Sequence, residues 1–74
     1  MLSLLAALTQ FGEGQMARRI RQRIESAMAL GAKCDQFRDR AFAEGDLEQG
    51  TFWGKRAIHY YTEAEKLSTE LAAN

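Results

Sequence analysis

The fold is decided by residues 41–50, AFAEGDLEQG, where a helix-forming stretch is interrupted once and then resumes. Gly45 suits the left-handed conformation that ends many helices, because it has no Cβ to clash with the backbone. Asp46 is a good N-cap residue, and Gln49 stands three positions later, where the partner of a capping box belongs. The segment therefore predicts that one helix ends just before the glycine and another begins just after the aspartate.

Apolar or small residues recur on both sides of this turn at spacings of four and three, which is typical of one face of a helix. The first long helix is expected to span residues 14–43 and the second residues 47–72. Their seams are formed by Ile20, Ile24, Ala27, Gly31, Cys34 and Ala41, and by Leu47, Gly50, Gly54, Ala57, Tyr61, Ala64, Leu67 and Leu71. A short helix over residues 2–11 is predicted to precede them.

The two long helices are predicted to pack as an antiparallel hairpin. If the chain reverses at Gly45-Asp46, residues whose numbers add up to about 91 face each other, so Gly31 meets Tyr60–Tyr61. An alternative turn near Gly31, with Asp35 as the N-cap, would leave two helices of very unequal length. The prediction is a single all-α domain, a short N-terminal helix plus a long antiparallel two-helix hairpin, self-associating into a helical bundle.

Composition limits the possible functions. The chain has 74 residues, no proline, one cysteine and ten side chains of each charge, so Cys34 has no disulfide partner within it. A net charge of zero argues against binding extended nucleic acid. The apolar start, Met1–Leu8, is too short to span a membrane, and a lone cysteine fits the cytoplasm. We expect no metal, cofactor or enzymatic activity, because His59 has no recognisable catalytic arrangement around it.

Aromatic residues exceed what one seam between two helices can bury. A single core of this size rarely supplies more than about 3–5 kcal/mol, so self-association or a partner is expected. The surplus rings predict a homodimer or higher oligomer, although the short helix could instead fold back and complete a three-helix monomer. The predicted oligomer interface comprises Phe37, Phe42, Phe52, Trp53 and Tyr60.

Arginines cluster near the start of the first long helix. They are Arg18, Arg19, Arg21 and Arg23. One interpretation is interhelical ion pairing, with Arg21 close to Glu70. A second is a site for an anionic nucleotide, in which some of these arginines grip phosphate and Trp53, Tyr60 and Tyr61 stack on bases. This site requires an oligomer that brings the arginines and the rings close together. A third is an anchor for another protein, because Trp, Tyr and Arg dominate such interfaces.

Residues 40–58 resemble the hairpin domain of small phage counter-defence proteins, the anti-CBASS and anti-Thoeris sponges. The shared residues are Arg40, Ala43, Leu47, Glu48, Gly50, Trp53, Gly54, Ala57 and Ile58. The resemblance implies a short first helix, two long helices and an oligomer that sequesters a cyclic-nucleotide immune signal. The alternative is an inhibitor or adaptor that blocks a host regulatory protein, and a structural role in a small assembly also stays open.

Overall fold

The computed structural model describes residues 14–73, which form two α-helices and no strand. Helix α1 spans Gly14–Ala43 and helix α2 spans Leu47–Ala73, and they pack against each other as an antiparallel hairpin. The predicted hairpin is thereby confirmed: α1 has the expected bounds, and α2 ends one residue later than expected. The short helix predicted over residues 2–11 lies outside the described residues.

The turn between the helices is a Schellman motif. Gly45 has a φ of +78°, its N–H donates to the carbonyl of Phe42 at 3.0 Å, and the N–H of Asp46 donates to the carbonyl of Ala41 at 2.8 Å. These two bonds satisfy carbonyl groups that the last turn of α1 would otherwise leave unpaired. The alternative turn near Gly31 is wrong, because α1 continues unbroken through that residue.

Asp46 caps the start of α2. Its Oδ1 accepts a hydrogen bond from the backbone N–H of Gln49 at 3.0 Å, and its carbonyl accepts the first intrahelical bond, from Gly50, at 3.0 Å. The cap and the Schellman motif share consecutive residues, so a single short segment both ends α1 and begins α2. Residues 44–46 therefore form the turn at which the chain reverses direction.

The seam between the helices is built mostly from small side chains. The buried positions are Ala17, Ile20, Ala27, Gly31, Cys34 and Ala41 in α1, and Gly50, Ala57, Ala64 and Leu67 in α2. Small residues let two helices approach closely, but they bury little apolar area each. The predicted seam is confirmed at these positions apart from Ala17, which it did not include.

One predicted seam residue is wrong. Leu47 is 71% exposed: it begins α2 beyond the last residue of α1, Ala43, so within residues 14–73 α1 does not extend far enough to cover it. Ile24, Gly54 and Leu71 are half-buried.

Two glycines receive aromatic rings from the opposite helix. A Cβ at Gly31 would lie 2.7 Å from the ring of Tyr61, and a Cβ at Gly50 would lie even closer to the ring of Phe42. Both distances are shorter than any carbon contact, so only glycine fits at these places without a shift. The expected meeting of Gly31 with the Tyr60–Tyr61 pair is confirmed, through Tyr61.

Many large apolar side chains remain outside the seam. Those at least two-fifths exposed are Met16, Met28, Leu30, Phe37, Phe42, Leu47, Phe52 and Ile58. Surfaces of this kind usually mark an interface. Neither α1 nor α2 carries an apolar stretch that could cross a bilayer.

Candidate interaction face

An open groove runs between the helices on one side of the seam. Its volume is about 590 Å³. Its lining includes the charged, aromatic and large apolar side chains of Arg19, Arg23, Leu30, Tyr60, Glu63 and Leu67. Arg23 and Leu30 are seven positions apart, two turns of α1, so they lie along one line of that helix.

The groove contains half of the predicted arginine cluster. Arg19 and Arg23 line it together with Tyr60, whereas Arg18 and Arg21 do not. The prediction required an oligomer to bring arginines and aromatic rings together, and this was wrong for Tyr60, which meets Arg19 and Arg23 within one chain.

A carboxylate partly balances the charge of the groove. Arg23 Nη2 lies 3.6 Å from Glu63 Oε1, and both side chains are substantially exposed, at 61% and 41%. An exposed pair of this kind contributes only about 0–1 kcal/mol to stability. The interpretation of the cluster as a source of interhelical ion pairs is confirmed for Arg23.

Three aromatic rings lie beside the groove, toward the turn. The Phe37 and Trp53 ring centroids are 4.9 Å apart across the two helices, and Phe52 meets Trp53 edge-on at 4.9 Å. We call Phe37, Phe52 and Trp53 the ring cluster. Phe37 is 42% exposed and Phe52 47%, while Trp53 is half-buried between them.

Arg56 joins the ring cluster to the groove. Its guanidinium carbon lies 6.0 Å from the Phe52 ring centroid and 5.6 Å from that of Tyr60, and Nη2 donates a hydrogen bond to the Tyr60 hydroxyl at 3.1 Å. These distances are within the range of cation–π attraction. We call the groove, the ring cluster and Arg56 together the aromatic–arginine face.

Arg56 is not among the site residues predicted from the sequence. The signal was present, because Phe52, Arg56 and Tyr60 follow each other at intervals of four, and residues so spaced are neighbours on a helix surface. The arginine lies in α2 and stands apart from the cluster in α1, so clustering along the chain could not reveal it.

Phe42 lies apart from the ring cluster. Its ring packs on Gly50, and within residues 14–73 it makes no ring contact with Phe37, Phe52 or Trp53. It remains 44% exposed. Its place in an oligomer interface stays a prediction.

A polar network ties the helices together at Asp35. The Tyr61 hydroxyl donates to Asp35 Oδ2 at 2.8 Å, and Arg38 Nη1 donates to Asp35 Oδ1 at 2.9 Å. The hydrogen bond from Tyr61 and, after it, partial burial raise the pKa of the Tyr61 phenol above its usual value of 10.0. Arg38 also pairs with Asp39, and that hydrogen bond raises the pKa of the guanidinium further above its high usual value.

The remaining reactive side chains are engaged or covered. Cys34 is buried, and the His59 ring packs edge-on against Tyr60 with a centroid separation of 5.4 Å. Across residues 14–73, no three His, Cys, Asp or Glu side chains gather where they could hold a metal ion.

The fold and the site together define a close-packed α-helical hairpin with an exposed aromatic–arginine face. Comparison of the chain with protein-family models, with curated proteins and with solved structures yields no match.

Proposed function

We propose that this chain is a small, non-enzymatic, homo-oligomeric binding protein that acts as an inhibitor or adaptor by capturing a regulatory protein on its aromatic–arginine face. The observation that carries the proposal is the ring cluster, in which Phe37 and Phe52 are exposed beside Trp53 and next to Arg56. Tryptophan, tyrosine and arginine are enriched among the few residues that dominate protein interfaces. The single cysteine, without a disulfide partner in the chain, favours a cytoplasmic protein.

The contacts within the face favour a protein over a stacked base. The Trp53 ring already contacts the rings of Phe37 and Phe52. The guanidinium of Arg56 lies over the rings of Phe52 and Tyr60. Stacking a base would displace these contacts, whereas an apolar side chain can rest on the rings as they stand. The guanidinium groups of Arg19, Arg23 and Arg56 would then favour carboxylates beside the partner's apolar anchor.

The test is capture followed by reconstitution. The tagged chain retrieves a partner, the partner is purified, and its dissociation constant is measured by calorimetry for the wild type and for Phe52→Ala, Arg56→Ala and Ile58→Ala. The first two variants should weaken binding at least tenfold. Ile58 is 66% exposed and does not line the groove, so Ile58→Ala is the matched control and should bind as the wild type does. Equal losses in all three variants would contradict the proposal.

Sequestration of an anionic cyclic nucleotide is the second candidate function. The specific observation in its favour is that Arg19 and Arg23 line the same open groove as Tyr60, so phosphate-binding and stacking groups converge within one chain. The resemblance of residues 40–58 to phage cyclic-nucleotide sponges points the same way. The carboxylate of Glu63, 3.6 Å from Arg23, counts against it by reducing the positive potential.

Thermal unfolding with a panel of cyclic dinucleotides tests this second function. A ligand that binds only the folded state raises stability by about 2.7 kcal/mol at a hundredfold excess over its dissociation constant. The double variant Arg19→Gln/Arg23→Gln should abolish that gain. Arg18→Gln/Arg40→Gln removes the same charge outside the groove and should preserve it. No stabilisation of the wild type by any cyclic nucleotide would exclude this function.

A further inference from the structure

The first half of α1 and the turn carry opposite charge, although the end of α2 beside that half of α1 holds Glu63, Glu65 and Glu70. Residues 14–33 of α1 contain five basic side chains and one acidic one, whereas residues 44–48, around the turn, contain three acidic side chains and no basic one. Two hairpins lying side by side in the same direction would place like charges together. Two hairpins in opposite directions would bring each acidic turn close to the start of α1 in the other copy, next to Arg18 and Arg19.

The aromatic–arginine face also has two halves, which differ in shape. Its half near the turn carries the ring cluster, with Phe37 and Phe52 protruding, and its other half is the open groove. When two copies pack in opposite directions, the ring cluster of each copy therefore lies against the groove of the other. Surfaces with this property are self-complementary, as a two-fold symmetric interface requires.

We propose that a second copy of this chain occupies the aromatic–arginine face, in an antiparallel dimer whose two-fold axis passes next to Leu30. Leu30 lies seven residues from Arg23, which lines the groove, and seven from Phe37, which belongs to the ring cluster. An axis at Leu30 thus places Phe37 of one copy over the groove of the other. Leu30 is itself 44% exposed and would meet Leu30 of the second copy.

This inference rests on the proposed function only in using the same face. A binding target and the second copy would then compete, so target binding would be strongest at low protein concentration. The two ideas fail separately: a monomer that binds a target contradicts self-association and leaves target capture standing, whereas a dimer that binds no target contradicts target capture alone.

Disulfide cross-linking of variants that each carry one cysteine in addition to Cys34 tests the geometry. In an antiparallel dimer a residue at the two-fold axis lies next to its own copy, so Leu30→Cys should form an intermolecular disulfide under mild oxidation. Met16 lies on the same line of α1, fourteen residues from Leu30, and is 66% exposed. The two copies of Met16 would lie about 40 Å apart at about 1.5 Å per residue, so Met16→Cys should not cross-link. The native Cys34 is buried, and the wild type should stay uncross-linked.

The full-length wild type is measured in parallel by light scattering over a range of concentrations, with circular dichroism of each variant to verify helicity. A dimer in which only Leu30→Cys cross-links supports the proposal. Cross-linking of both variants would show a parallel dimer and overturn it. A monomer at high micromolar concentration would also overturn it. If the Leu30→Cys thiol in that monomer resists a thiol reagent, another part of the same chain covers the face.

Discussion

The hydroxyl of Tyr61 in α2 donates a hydrogen bond to Oδ2 of Asp35 in α1 at 2.8 Å, while the Tyr61 ring lies directly on Gly31. One side chain therefore supplies both a polar and a steric link between the helices. Gly31 and Asp35 are four positions apart and so share a face of α1. The ring can reach the carboxylate only because the glycine leaves room for it to cross the seam.

Tyr61→Phe should lower the melting temperature, because it leaves Asp35 without the phenol while retaining the ring on Gly31. Tyr60→Phe is the matched control: the Tyr60 hydroxyl accepts a bond from Arg56 at the surface, and its loss should matter less. Thermal unfolding followed by circular dichroism measures both. Equal melting temperatures for the two variants would show that the Asp35 bond adds nothing.

The same hydrogen bond predicts a loss of stability at high pH. The pKa of Tyr61 is raised in the folded state, so the folded chain holds the phenol proton more tightly than the unfolded chain does. The resulting stabilisation is fully present below the unfolded pKa, about 10, and is lost as pH rises through that value toward the folded pKa. Urea midpoints measured from pH 8 to 11.5 for wild type and Tyr61→Phe should converge above about pH 10. A constant difference would contradict the assignment.

Two helical glycines are predicted to respond oppositely to alanine. At Gly31 the new methyl group would meet the Tyr61 ring at 2.7 Å, and such overpacking costs about 1–3 kcal/mol, more than the gain of about 1 kcal/mol in helix propensity. At Gly54 the nearest atom is Cδ of Arg38 at 3.5 Å, an ordinary contact, so alanine should stabilise by about 0.5–1 kcal/mol. Denaturant unfolding compares them. Stabilisation by both would mean that the Tyr61 ring moves aside freely.

The hairpin could be predicted from sequence because its signals are local. Gly45 and Asp46 mark a stop and a start by their own backbone chemistry, and the spacing of small residues defines the seam without reference to any other segment. Leu47 shows where this reasoning fails. Periodicity alone cannot say that α1 ends before it can cover the first residue of α2.

The face was harder to predict because it depends on registry between the helices. Tyr60 lies near Arg19 and Arg23 only once the two helices are aligned, and the contact of Phe37 with Trp53 likewise joins residues from both. Composition indicated that the chain has more aromatic rings than one seam between two helices can bury. It could not show which rings would cluster.

Removal of the N-cap should destabilise the hairpin without changing its packing. Asp46→Ala deletes the acceptor for the Gln49 N–H and should cost about 0.5–2 kcal/mol. Asp46→Asn keeps a side-chain oxygen at the same place and should stay within a few tenths of a kcal/mol of the wild type. Chemical denaturation gives both values. If asparagine were as damaging as alanine, the carboxylate charge rather than the cap would be the stabilising element.

Trp53 is the only tryptophan of the chain and lies half-buried in the ring cluster, so its fluorescence reports directly on whether that cluster is covered. On dilution from high to low micromolar concentration, the antiparallel dimer should dissociate, with a red shift of the emission and stronger quenching by acrylamide. Phe52→Ala removes a ring that is 47% exposed beside the tryptophan, and should move this transition to higher concentration while helicity stays unchanged. Ile58→Ala removes a comparably exposed apolar side chain away from the cluster and should leave the transition where it is. Emission and quenching that do not change with concentration in the wild type would mean that no second copy reaches the Trp53 ring.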